Sequence, residues 1–122
     1  MKFKPAVKGE FWEYPAVNLD RLDWEHMAPV IETVKRAFHT AGYECRCSAG
    51  CEVLKTNNAT GLRELIHSIR SLHQRGRALD FSFKGIGHLT RIMLQEEIQD
   101  RLGKDYDVVL EGDHLHVEYD PK

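Results

Sequence analysis

Tyr106-Asp107-Val108-Val109-Leu110-Glu111-Gly112-Asp113-His114-Leu115-His116-Val117-Glu118-Tyr119 is the stretch from which the fold is read. Two β-rich runs flank Gly112-Asp113, and Gly at the first turn position supplies the positive φ of a tight type II′ turn. The stretch predicts an antiparallel hairpin with strands over 106–111 and 114–119. Alternation places His114 and His116 on one face and Leu115 and Val117 on the other.

Working upstream, Leu94, Ile98 and Leu102 recur at four-residue steps and Gly103 follows, which predicts a helix over 89–102. Ala78 to Phe83 alternates as a strand. Met27, Val30, Ile31, Val34 and Phe38 recur at three and four, the spacing of one face of a helix over 25–41. Pro29 is tolerable in that helix's first turn, and Gly42 supplies its stop. Tyr43 to Cys47 reads as a short strand. Residues 48–70 carry no strong pattern and read as a long functional loop, with Thr60 to Ile66 forming a helical turn or two. Residues 1–17, with Phe3, Pro5, Phe11, Trp12, Tyr14 and Pro15, have no clean period and read as an irregular segment packing along the body. The order of elements predicts an α+β fold, with two main helices on a small, mainly antiparallel sheet, and residues 1–122 forming a single domain.

The chain has 122 residues, of which 42% are hydrophobic and 30% charged. At this length a compact fold hides roughly two-thirds of its unfolded surface, so a core can hold it without disulfides. With 17 Lys+Arg against 19 Asp+Glu, the net charge of −2 argues against a protein relying on an electrostatic grip on nucleic acid or anionic lipid. No apolar run approaches the roughly 18 residues needed to cross a bilayer, and no continuous apolar stretch follows the charged start, so no signal peptide is read. Cys45, Cys47 and Cys51 are an odd, tightly spaced set that suits reduced thiols in a cytosol. Their spacing is not that of a Cys-x2-Cys zinc knuckle, and they read as small buried thiols. His26, His39 and His88 have no partner pattern and read as surface residues, and His67 as a loop residue.

Ser71-Leu72-His73-Gln74-Arg75-Gly76-Arg77-Ala78-Leu79-Asp80 sets an imidazole and a carboxylate seven residues apart across a Gly turn that lets them converge. Singly, His73 or Asp80 would read as a surface or hydrogen-bonded residue. Joined by a His from the terminal strand, they form a three-ligand N/O/N set, whose fourth tetrahedral position stays open for water as in catalytic zinc sites. Glu111 and His114 lie beside His116, and either can take a proton from that water.

SLHQRGRALD matches the SxHxxGxAxD signature, and EGDHLHVEY resembles the ExxHxH-type ending, of the superfamily of lysostaphin-type enzymes, D-Ala-D-Ala metallopeptidases and the sonic hedgehog signalling domain. The chain is most similar to the small D-alanyl-D-alanine carboxypeptidase-like members, including phage and prophage endolysins. The resemblance implies a hedgehog/DD-peptidase-like fold and one catalytic Zn2+ held by His73, Asp80 and His116. It implies Glu111 as the catalytic acid/base, His114 as the residue that orients water and steadies the tetrahedral intermediate, and Ser71 as a substrate-side or supporting hydroxyl. Members with the ExxH arrangement place a ligand three residues after the Glu, which is His114 here; HxH members use the second His, which is His116, and His116 is preferred.

One segment departs from the family. Where many members carry a substrate-binding Arg within an SGYR-like stretch, this chain reads Cys47-Ser48-Ala49-Gly50-Cys51-Glu52. Arg46 and Arg63 are the candidates to take its place, though neither occupies the matching position. The implied function is zinc-dependent hydrolysis of an amide bond in peptidoglycan stem peptides, by a phage or prophage protein that is cytoplasmic as synthesised and acts on the cell wall. The rival reading is a zinc-stabilised binding module without turnover.

Overall fold

The computed structural model describes residues 11–13, 22–49, 54–56, 63–65 and 76–121, with side chains described at 22–48 and 76–121. In chain order the elements are β1 (Phe11–Glu13), α1 (Trp24–Thr40), β2 (Cys45–Ala49), β3 (Leu54–Thr56), β4 (Arg63–Leu65), β5 (Ala78–Ser82), α2 (His88–Leu102), β6 (Tyr106–Glu111) and β7 (His114–Tyr119). The fold is α+β. Five strands form one sheet in the order β1-β2-β5-β7-β6, antiparallel except for the β1–β2 pair.

α1 starts at Asp23, whose carboxylate accepts the His26 backbone N–H at 3.4 Å, so one of the first-turn amides that a helix cannot satisfy internally is paired. It ends in a Schellman arrangement: the Tyr43 N–H donates to the Phe38 carbonyl at 2.8 Å and the Gly42 N–H to that of His39 at 3.0 Å. Gly42 has φ +89°, which explains why the stop is a glycine. Pro29 lies in the second turn of α1 rather than the first. α1 continues through it, its apolar face, Met27 to Phe38, buried against the sheet.

Burial of Asp23 by itself raises its pKa, but bonds from His26 and the charges of His26 and Arg77 outweigh this and hold the carboxyl below the usual aspartate range. A carboxyl whose pKa is lower folded than unfolded stabilises the fold above its unfolded pKa of about 4, and that support is lost as pH falls through the folded value. Asp23→Ala should therefore cost about 1 kcal/mol at pH 7. Denaturant titrations at pH 7 and pH 3 should show the gap between wild type and variant closing at the lower pH; an equal gap at both would refute the role of the charge.

The core lies on one face of the sheet, under α1 and α2. Leu79, Phe81 and Phe83 around β5, Leu115 and Val117 of β7, and Cys45 and Cys47 of β2 all reach 0% exposure. Burial drives the Cys45 thiol far above its ordinary pKa, so it packs as a small uncharged side chain, as the sequence predicts. Cys51 lies outside the described residues. Leu94 and Ile98 fix α2 to the same core, while Leu89 and Met93 remain exposed.

The terminal hairpin forms over the expected residues. Gly112 has φ +55° and no non-glycine described residue has positive φ, which fits type II′ and excludes I′, where both central residues need it. β6 is an outer strand, and its backbone is taken up by α2. Gln95 Nε2 donates to the Val108 carbonyl at 2.8 Å and Gln99 Nε2 to that of Tyr106 at 2.8 Å, while Gln99 Oε1 accepts the Val108 N–H at 3.1 Å.

Three expectations need correction. Within the segment read as irregular, residues 11–13 pair in parallel with β2, Phe11 opposite Cys45. Inside the stretch read as a loop, β3 and β4 form a two-stranded antiparallel sheet, Leu54 opposite Leu65, so residues 63–65 are strand and not a helical turn. His26 is not a partnerless surface residue: its ring stacks on Tyr119 at 4.0 Å and its Nδ1 lies 3.0 Å from Asp23.

Candidate metal centre

β5 and β7 are neighbours, and their register puts Asp80 opposite His116 and Ser82 opposite His114. Because Leu79, Phe81, Leu115 and Val117 face the core, strand alternation turns Asp80, Ser82, His114, His116 and Glu118 to the other face. The hairpin adds Glu111, directly opposite His114. On the far side of β5 the β2 register shifts between Cys47 and Ala49, so the irregularity falls beside Asp80.

The end of the hairpin is tied down. The Phe83 N–H donates to the Asp113 carbonyl at 2.8 Å. The Arg91 guanidinium, reaching across from α2, donates to the carbonyls of Ile86 at 2.7 Å, Gly112 at 2.9 Å and Phe83 at 3.1 Å. The turn beside Glu111 and His114 is thus held to the segment that leaves β5.

His116 Nδ1 lies 2.8 Å from Asp80 Oδ1 and 3.9 Å from Glu111 Oε1. His114 Nε2 lies 3.3 Å from Glu111 Oε1 and 3.9 Å from Asp80 Oδ2. Ligand atoms around a tetrahedral zinc stand about 3.3 Å apart, given bond lengths near 2.0–2.1 Å. The observed separations bracket that value, and nitrogen with carboxylate oxygen is the donor chemistry zinc takes, so Asp80, Glu111 and His114 could hold a zinc ion, while both ring nitrogens of His116 are hydrogen-bonded, Nδ1 to Asp80 and Nε2 to Glu118. Among the described residues, Asp80, Glu111 and His114 can each offer one ligand atom with all three within 4.8 Å of one another.

Glu118 supplies a feature that sequence reasoning missed. Its Oε1 lies 2.7 Å from His116 Nε2, the ring nitrogen turned away from Asp80. A ring N–H held by a carboxylate fixes the tautomer and aims the other nitrogen, the arrangement commonly found behind metal-binding histidines. Burial alone would lower the His116 pKa, but the bonds to Asp80 and Glu118 and their negative charges override it and raise it to about 9. The signal was present in the sequence: His114, His116 and Glu118 at steps of two share one strand face.

Of the residues singled out from sequence, Asp80, Glu111, His114 and His116 come together here. His73 and Ser71 lie outside the described residues, as does His67. Arg46 is directed elsewhere, its Nη2 donating to Glu44 at 3.4 Å. Arg63 falls on β4, where the backbone alone is described. Two other groups, Asp23 with Glu25 and His26, and Asp107 with Glu118 and Asp120, also bring three potential ligand atoms together. In the first, Asp23 is already engaged by its helix cap and by Arg77 at 3.3 Å.

No helix among the described residues is long and apolar enough to cross a membrane. Compared with protein-family models, curated proteins and solved structures, the chain matches none.

Proposed function

We propose that this chain is a zinc-dependent peptidase of the hedgehog/D-Ala-D-Ala metallopeptidase type, hydrolysing an amide bond in peptidoglycan stem peptides as a carboxypeptidase or an endolysin-type endopeptidase. The observation that carries the reading is the pairing of Asp80 with His116 across β5 and β7, with Glu111 and His114 beside them. The motif resemblance of residues 71–80 and 111–119 supports it. Under this reading His73, Asp80 and His116 hold the metal, and Glu118 orients His116.

Zinc held there would supply a Lewis acid to polarise the scissile carbonyl and lower the pKa of water. Glu111 is half exposed, with side-chain exposure of 49%, so it can reach both solvent and substrate. It accepts a proton from the attacking water and delivers it to the leaving amine. His114, 3.3 Å from Glu111, faces the same spot and donates to the oxyanion that develops on the carbonyl.

Metal analysis of the purified protein tests the site. Wild type should carry about one zinc per chain, His116→Ala should lose at least about tenfold in affinity, and His114→Ala should retain the metal while losing turnover. The reverse order of the two variants would make His114 the ligand; equal, full zinc in both would remove the hairpin from the site.

A second reading, a zinc-stabilised module that binds peptidoglycan or protein without cleaving it, is favoured by Arg46, which is paired with Glu44. Incubating purified peptidoglycan with the protein, with and without chelator, separates the two. Release of stem-peptide fragments that stops on chelation supports the peptidase, and binding without release supports the module.

A further inference from the structure

Beside the cluster lies a hollow of about 200 Å³ lined by Ser48, Ser82, Lys84, Asp113 and His114. Ser82 is the cross-strand partner of His114, and Ser82 and Asp80 share a face of β5, so the hollow adjoins the cluster through both strands. A smaller one, of about 60 Å³, continues from Ser82 and Lys84 toward Arg46 and Tyr43. Together they make a trough that starts at His114, in which Glu44 pairs with Arg46 at 3.4 Å and Lys84 is the cation left without a carboxylate.

The donors in this trough are uncommitted in a specific way. Ser82 Oγ accepts the Lys84 backbone N–H at 3.1 Å, which leaves the hydroxyl proton to donate elsewhere. Among the described residues Lys84 and Lys104 have no carboxylate partner, and of the two only Lys84 lines the hollow; Lys35, Arg36, Arg46, Arg77 and Arg101 each have one and Arg91 is spent on three carbonyls. The hollow's own carboxylate, Asp113, has its side chain 89% exposed and stands 3.4 Å from His114 Nδ1, so water screens it. An ammonium and a hydroxyl donor lining one hollow with His114 make a receptor for a carboxylate.

We propose that Lys84, with the Ser82 hydroxyl, binds a substrate carboxylate next to the scissile amide and so selects acidic peptides. The inference rests on the peptidase reading for the identity of the substrate. Lys84 performs the task for which the sequence offered Arg46 or Arg63, and it lines the smaller hollow together with Arg46.

The test uses binding as well as cleavage. The zinc-loaded full chain is titrated calorimetrically with the stem pentapeptide L-Ala-γ-D-Glu-L-Lys-D-Ala-D-Ala, with the form amidated at D-Glu, and with the form amidated at the C-terminus. One amidation should weaken binding about tenfold, the size of one charge-assisted contact at a half-open site, and should identify the carboxylate concerned. The loss should shrink as salt is raised. In Lys84→Ala the acid and the amide should bind alike, and Lys84→Arg should restore the preference; Lys84 is exposed, so neither change threatens the fold.

A carboxylate preference that survives Lys84→Ala, or no preference in wild type, overturns the proposal. Carboxylate-selective binding through Lys84 without peptide cleavage would leave it standing and remove the peptidase reading. Cleavage indifferent to amidation would do the opposite.

Discussion

Glu111→Gln should lower hydrolysis of peptidoglycan stem peptides by about 10²- to 10⁴-fold, the range expected when a positioned acid/base is lost, while the chain keeps its zinc. The amide matches the carboxylate in shape and can still face His114, but it cannot accept a proton from water. Glu111 Oε1 stands 3.3 Å from His114 Nε2 and 3.9 Å from His116 Nδ1, near both candidate ligand histidines. Turnover and metal content measured on one preparation decide the matter. Full activity would end the acid/base assignment, and loss of zinc together with activity would make Glu111 a ligand, as its proximity to Asp80 and His114 allows.

Phe81→Ala should be the most damaging single truncation for stability, costing about 3–5 kcal/mol. Against a total near 5–15 kcal/mol for such a domain, that removes a large fraction of the margin. Phe81 has no exposed surface and stands between Cys47 on β2 and Leu115 on β7, so an alanine leaves a void in the middle of the sheet's covered face. Scanning calorimetry should show the melting temperature falling by about 10–20 °C. Leu89→Ala, at a residue 76% exposed on α2, should move it by no more than a few degrees. A small shift for Phe81→Ala would mean that the sheet repacks around the gap.

What could be read in the sequence follows from the range of the interactions involved. The hairpin was legible because its turn, alternation and register are all local: Gly112 dictates the turn, and the turn dictates that Glu111 opposes His114. Both helices were legible from their apolar spacing and the glycines at their ends. β3 and β4 were not, because Leu54-Lys55-Thr56 and Arg63-Glu64-Leu65 are too short to show an alternating pattern, and their partner is known only once they pair. β1 escaped for a related reason, since its parallel partner lies more than thirty residues away.

The site divides in the same way. Asp80, Glu111, His114 and His116 could be picked out because their residue types are the ones zinc hydrolysis needs. Ser82 and Lys84 could not, since what makes them neighbours of His114 is the β5–β7 register. Arg91 was equally invisible: a guanidinium on a helix holding carbonyls up to 21 positions away leaves no mark in a pattern of apolar residues.

Gln95 and Gln99 have a consequence for how this molecule behaves among copies of itself. An outer strand normally offers a row of bare amides and carbonyls on which another chain can dock, the usual first step toward fibres and strand-exchanged dimers. Here the helix that follows β5 takes up the Tyr106 carbonyl and both backbone groups of Val108 on β6 with its own side-chain amides before any newcomer arrives. Two glutamines thereby oppose growth of the sheet from that side.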